Sequence, residues 1–209
     1  MLILLSLGVG MIYYLDLFGC VIFAITAIFV AASKELDVLG VLVAAFLTAV
    51  GGGTLRDLIL NTDVFWTHDV TYLYVILICS LSTYFLVHFK DNLLKYLFYA
   101  DAFGLALFTV IGTKKALKFG LREEVAIIMG ILTGVAGGII RDIIFNDKPI
   151  VLRREIYVTA SILSGGSFVI LNMFGIDEIF STMISITLGL CLRSYAIYYK
   201  VHLPLFFKK

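Results

Sequence analysis

Residues 49–61 read AVGGGTLRDLILN, and residues 134–146 read GVAGGIIRDIIFN. Each places a glycine cluster, an Arg–Asp pair and an asparagine inside a long apolar stretch. An interior glycine costs a helix roughly 1 kcal/mol against alanine. An arginine at the centre of a membrane span costs roughly 3 kcal/mol or more. A chain that makes both expensive choices twice, in the same order, is built on a repeat.

Sliding the sequence against itself by 85 residues aligns the two stretches without a gap. Over residues 47–61 and 132–146, nine of fifteen positions are identical: Leu47, Thr48, Val50, Gly52, Gly53, Arg56, Asp57, Ile59 and Asn61. Outside the motif, Tyr14 meets Tyr99, Asp16 meets Asp101, Phe18 meets Phe103, Gly19 meets Gly104 and Tyr72 meets Tyr157. This is an internal duplication.

Composition gives the medium. The chain has 209 residues, 61% of them hydrophobic and 15% charged, and its mean hydropathy is +1.05. Apolar runs of about 20 residues, enough to cross a bilayer core, recur along it. The expected fold is an all-α polytopic membrane protein with spans at about 10–32, 38–60, 70–88, 93–117, 123–145, 155–174 and 179–199. Residues 1–200 then form one transmembrane domain. Repeat 1 covers about 10–90, repeat 2 about 95–175 and the seventh helix 179–199, with a short tail at 201–209. Each repeat holds three spans, an odd number, so the second enters the membrane from the opposite side. Two inverted repeats with matched glycine-interrupted spans point to a transport pathway between them.

The N-terminus lacks a basic region and a small-residue cleavage site, and reads as the start of the first span. With the N-terminus outside, cytoplasmic segments hold Lys34, Lys90, Lys95, Lys148, Arg153, Arg154, Lys200, Lys208 and Lys209, against Lys114, Lys115, Lys118 and Arg122 outside. The basic bias favours an external N-terminus and a cytoplasmic C-terminus, in a cell membrane. Tyr13, Tyr14, Trp66, Tyr72, Tyr96, Tyr99, Tyr198 and Tyr199 read as interface aromatics at span ends. Cys20, Cys79 and Cys191 form no CxxC and read as buried free thiols.

Within the motif, Gly51, Gly52, Gly53, Gly137 and Gly138 are expected to break their helices around a cavity. Thr48 and Thr133, one turn earlier, would take up the loosened backbone bonds. Close helix packing is the alternative role for such glycines. Arg56 and Arg141 lie three or four residues on, so each shares the glycine face. They face a hydrated interior, or else snorkel to the interface. Matching depth pairs Asp16 with Arg56 and Asp101 with Arg141, the alternative for each aspartate being a helix cap. Asp57 and Asp142, adjacent to the arginines, point elsewhere, toward another helix or subunit. Lys114 and Lys115 read as a solvated cluster or a lipid-phosphate contact. Arg193 reads as a subunit contact or a snorkelling charge.

The doubled GGGTLRD and AGGIIRD, with LDLFG and ADAFG, resemble the prokaryotic trimeric intracellular cation (TRIC) channel family, also described as a glycine-transporter-like family of uncharacterised membrane proteins. The resemblance covers residues 14–200. It implies seven helices, a homotrimer, and one cation pathway, preferring potassium, inside each protomer. It also implies that the second and fifth helices kink at Gly51, Gly52, Gly53, Gly137 and Gly138 and line that pathway near Arg56 and Arg141. Ala136 replaces the first glycine in the second cluster, so that break should be milder.

Two functions fit the residues: a monovalent-cation channel, and a transporter of a small amino acid such as glycine, whose carboxylate would suit Arg56 or Arg141. No GxSxG, P-loop or HExxH is present, which argues against an enzyme. His68, His88 and His202 lack metal-ligand spacing, so neither metal nor cofactor is expected. A net charge of +1 argues against nucleic acid as a partner. In a background lacking the native cysteines, cysteines at Thr62 and Lys118 should react with external impermeant thiol reagents, and those at Lys90 and Lys208 should not. Labelling at Lys90 but not at Thr62 would reverse the orientation.

Overall fold

In the computed structural model, residues 2–34, 36–87, 93–153 and 155–204 are described. The elements are α1 (Leu2–Ala31), α2 (Val38–Ile59), the single turn α3 (Phe65–His68), α4 (Thr71–Val87), α5 (Leu93–Lys118), α6 (Glu123–Ile144), α7 (Val158–Met173) and α8 (Glu178–Tyr199). A 3-10 turn, Ile150–Leu152, lies between α6 and α7. Among the described residues, five helices are long and apolar enough to cross a membrane: α1, α2, α5, α6 and α8. The helices α4 and α7 are apolar but shorter, at 17 and 16 residues. The sixth span begins at Val158, not at residue 155, where Glu155 instead bridges to the backbone of His202. Lys90, Lys208, Lys209, Arg154 and His88 lie outside the described residues, as does the side chain of Lys95.

Caps set several helix ends. Asp37 accepts a hydrogen bond from the Gly40 amide at 2.6 Å at the start of α2, and Asp177 accepts one from the Ile179 amide at 2.9 Å before α8. Both motif helices end alike. Asn61 and Asn146 adopt left-handed backbone, φ 53° and 55°, a region that asparagine tolerates better than most residues. Outside the spans, Asp69 accepts the Tyr13 hydroxyl at 2.7 Å. Hydrogen bonds from Thr71 and Tyr13 hold its carboxyl below the usual range.

At the centre α1 packs on α5 and α2 on α6. Several contacts join residues 85 positions apart: Phe18 with Phe103, ring centroids 5.8 Å apart, and Phe23 with Phe108, 5.1 Å apart. Others are reciprocal. A methyl group on Gly19 would strike Phe108, and one on Gly104 would strike Phe23. The same reciprocity governs the crossing of α2 and α6, where a methyl on Gly52 would collide with the Thr133 carbonyl oxygen, and one on Gly137 with that of Thr48.

The expected helix breaks do not occur. Both α2 and α6 run unbroken through their glycines. The Thr48 and Thr133 hydroxyls donate within their own helices, to the Ala44 and Met129 carbonyls, each at 2.7 Å. Gly52 and Gly137 are there because two backbones touch, while Gly51 and Gly53 make room for the Ile140 and Phe65 side chains, which is the packing role. Of the thiols, Cys20 is buried, Cys79 is half-buried and Cys191 is exposed on the protomer, so the expectation of three buried thiols is corrected.

The crossing predicts a contrast. Gly52→Ala and Gly137→Ala force two backbones apart and should each lose on the order of 1–3 kcal/mol of stability. Gly166→Ala, with no atom within 4 Å of the new methyl, should be neutral. Thermal unfolding in detergent measures both; equal melting of Gly52→Ala and wild type would show that the crossing is loose.

Candidate functional site

Above and below the crossing sit two buried charge clusters, one per motif. In the second, Arg141 is fully buried. It donates through one terminal nitrogen to Asp101 at 2.8 Å and to the Thr26 hydroxyl at 3.0 Å. Its Nε donates to Asp142 at 2.9 Å. The other oxygen of Asp142 accepts the Ile150 amide at 2.8 Å. The expected pairing of Asp101 with Arg141 is therefore present, and Thr26 of α1 joins it.

In the first cluster, Arg56 donates through Nε to Asp57 at 2.6 Å. Asp57 also accepts Lys115 from α5 at 2.8 Å and the Phe65 amide at 3.1 Å. The Arg56 guanidinium lies over the Phe65 ring, 5.8 Å from its centroid. The expected Asp16–Arg56 ion pair is not formed. Asp16 instead accepts the Tyr72 hydroxyl at 2.7 Å.

Asp57 and Asp142 correct a second expectation. Sequence adjacency does not turn them away from the arginines, because a guanidinium on a long stem curls back onto its neighbour's carboxylate. Each aspartate then spends its free oxygen on an amide eight residues ahead. That bond fixes the loop that leaves the helix, after the left-handed asparagine has reversed the chain. A buried carboxylate held by an arginine and an amide has its lone pairs occupied, which is what makes burial tolerable.

The lysines are corrected as well. Lys115 reaches Asp57, and Lys114, buried in α5, forms an ion pair with Glu178 at the start of α8. Neither belongs to a solvated cluster. Arg193 is also buried. It pairs with Glu155 and lies over the Tyr157 ring at 5.1 Å, all within one protomer.

Sequence reasoning missed Tyr72, Tyr157, Thr26 and Lys115 as members of these clusters. Tyr72 stands among the expected interface aromatics, yet it is buried against Asp16. Its partner in the repeat, Tyr157, is buried beside Asp101. The one available signal was that these tyrosines align with each other, as the two aspartates do.

A cavity of about 10 Å³, room for about one water, lies among Asp16, Gly52, Gly53, Phe65, Phe108 and Thr133. A larger one of about 290 Å³ opens beside Asp142, lined by Ser33, Lys34, Asp147 and Arg153 among others. Among the described residues no group of histidine, cysteine and carboxylate side chains is placed to hold a metal ion.

Buried ion pairs on both sides of a glycine crossing, inside apolar helices of membrane length, define a polytopic helical membrane protein with a charged interior. The family model described as "Glycine transporter" matches residues 13–88 and again residues 98–173. The chain belongs to that family, and the two matches stand at the spacing of the repeat. It is 39% identical over 199 residues to the UPF0126 inner membrane protein YadS of Escherichia coli (strain K12), covering 94% of this chain and 96% of that one. Its fold is that of the TRIC trimeric intracellular cation channel orthologue from Rhodobacter sphaeroides. The TM-score is 0.88 with 36% identity, over 91% of this chain and 99% of the other. A structure solved for the basis of conductance through TRIC cation channels superposes with a TM-score of 0.82 at 31% identity, over 94% and 97% of the two chains.

The geometry predicts which residues couple. Asp101→Asn and Arg141→Gln should be non-additive by about 0.5–3 kcal/mol, as for groups in contact. Asp16→Asn should couple to Tyr72→Phe more strongly than to Arg56→Gln. Double-mutant cycles read by thermal stability measure both; a larger Asp16–Arg56 coupling would restore the direct pair.

Proposed function

We propose that this protein is a monovalent-cation channel, conducting potassium, with one pathway inside each protomer of a homotrimer. The observation that carries the reading is the agreement of fold, across nearly the whole chain, with channels described as conducting cations. The buried charge clusters on α2 and α6 give that fold a polar interior, which a purely structural membrane protein does not need.

In this reading seven helices cross the membrane, α4 and α7 included. They form two inverted three-helix repeats followed by α8, and the N-terminus lies outside a bacterial inner membrane. The reciprocal contacts between residues 85 positions apart support that two-fold arrangement. The pathway follows the α2–α6 seam and passes Asp16 and Arg56 on one side of the crossing and Asp101 and Arg141 on the other. Gly51, Gly52, Gly53, Gly137 and Gly138, with Thr48 and Thr133, form its narrowest part. At the crossing the seam leaves no room for a methyl group, so the conformation is closed. Opening requires the two backbones to separate and the arginines to leave their aspartates.

Arginine suits a cation path as a tethered plug. Held by the neighbouring carboxylates, its own charge occupies the place of a permeant ion until it leaves them, and it disfavours divalent ions more than monovalent ones. Asp57 and Asp142 set where each guanidinium rests.

Protein reconstituted in liposomes should pass potassium under an imposed potential and should not accumulate labelled glycine. Gly53→Leu, which would push against the Phe65 ring, and Gly138→Leu should abolish that flux in assembled protein. Glycine uptake without potassium flux would replace the channel by an amino-acid transporter, and normal flux in both variants would move the pathway elsewhere.

A further inference from the structure

The 290 Å³ cavity beside Asp142 is lined by a partly exposed ion pair that the repeat does not duplicate. Lys34, in the turn after α1, and Asp147, in the turn after α6, meet across it at 2.8 Å. Their side chains remain 32% and 37% exposed, so water and ions reach the pair. The positions 85 residues away are Phe119 and Thr62, which carry no charge. The cavity ends at Asp142, whose carboxylate holds Arg141 and through it Asp101. It therefore reaches one residue short of a buried ion pair in the seam.

We propose that this cavity is a vestibule on one face of the pathway, and that the Lys34–Asp147 pair sets how strongly it draws cations. The inference rests on the channel reading. Four described charged side chains line the vestibule: Lys34, Arg153, Asp142 and Asp147. Asp147 is neutralised by Lys34, whereas Asp142 shares the single charge of Arg141 with Asp101. Arg153 donates to the Lys148 carbonyl at 3.1 and 3.0 Å and keeps its positive charge. The resting vestibule is thus close to neutral, with two cationic and two anionic side chains in its wall, and a poor collector of cations. Without the Lys34 ammonium, Asp147 faces the vestibule alone and raises the local cation concentration, as single-signed clefts do. Without the Asp147 carboxylate, Lys34 repels cations from the same mouth. Because Lys34 and Asp147 lie on one face, each change acts on cations entering from that side.

The test is single-channel recording of the full-length protein in planar bilayers, in symmetric KCl at 50 mM and at 1 M. At 50 mM, Lys34→Gln should raise the current in one direction by about two-fold and Asp147→Asn should lower it by about as much. The double variant Lys34→Gln with Asp147→Asn should return to wild-type rectification. At 1 M, where the screening length is about 3 Å, the differences should vanish. A second measurement is independent of how the variants fold. Ser33→Cys lines the vestibule, and its modification by a cationic or an anionic methanethiosulfonate should shift the same current in opposite directions. A silent wild type would overturn the channel reading and this inference together. A conducting wild type whose Lys34→Gln and Asp147→Asn variants rectify as it does, and whose Ser33→Cys responds equally to both reagents, would overturn the vestibule alone.

Discussion

The structure depends on one contact: α2 and α6 lie backbone to backbone, with Gly52 against the Thr133 carbonyl and Gly137 against that of Thr48. In a bilayer, apolar side chains gain little by leaving lipid for one another, so helices associate through close packing and hydrogen bonds. A glycine seam is the strongest form of that packing. It also has no room for side chains that would shield charges, so the arginines must be neutralised locally, by the aspartate next in sequence and, for Arg141, by Asp101 of α5. The charge clusters follow from the seam.

Much of the fold was legible in the sequence, for two reasons. Apolar stretches long enough to span a bilayer announce themselves, and the duplication lets one half check the other. The second pass gave Asp101 its arginine correctly, because depth along two neighbouring helices fixes which side chains share a level. The same rule failed for Asp16. Depth says nothing about a competing hydroxyl on a third helix, and Tyr72 takes the carboxylate first.

The glycines were misread for a related reason. Sequence records that a side chain is missing but not what fills the space. A cavity and a neighbouring backbone both require glycine, and only the fold distinguishes them. The aspartates of the RD pairs were misplaced because helical spacing describes where Cβ atoms point, whereas an arginine carries its charge several bonds farther and can turn back. Lys114 and Lys115 were misjudged because their partners, Glu178 and Asp57, lie far away in sequence.

The pairing of residues 85 positions apart also governs the order of assembly. The helix α1 packs on α5 and α2 on α6, so neither finds its main partner until the second half of the chain has been made. Ribosomes add about 5–20 residues each second, which leaves the first half waiting for roughly 4–17 s. Through that interval the α2 groove, with Gly52 and a buried-type arginine, faces lipid or an insertion chaperone. The seam that closes the finished protein can thus form only once α6 has been made.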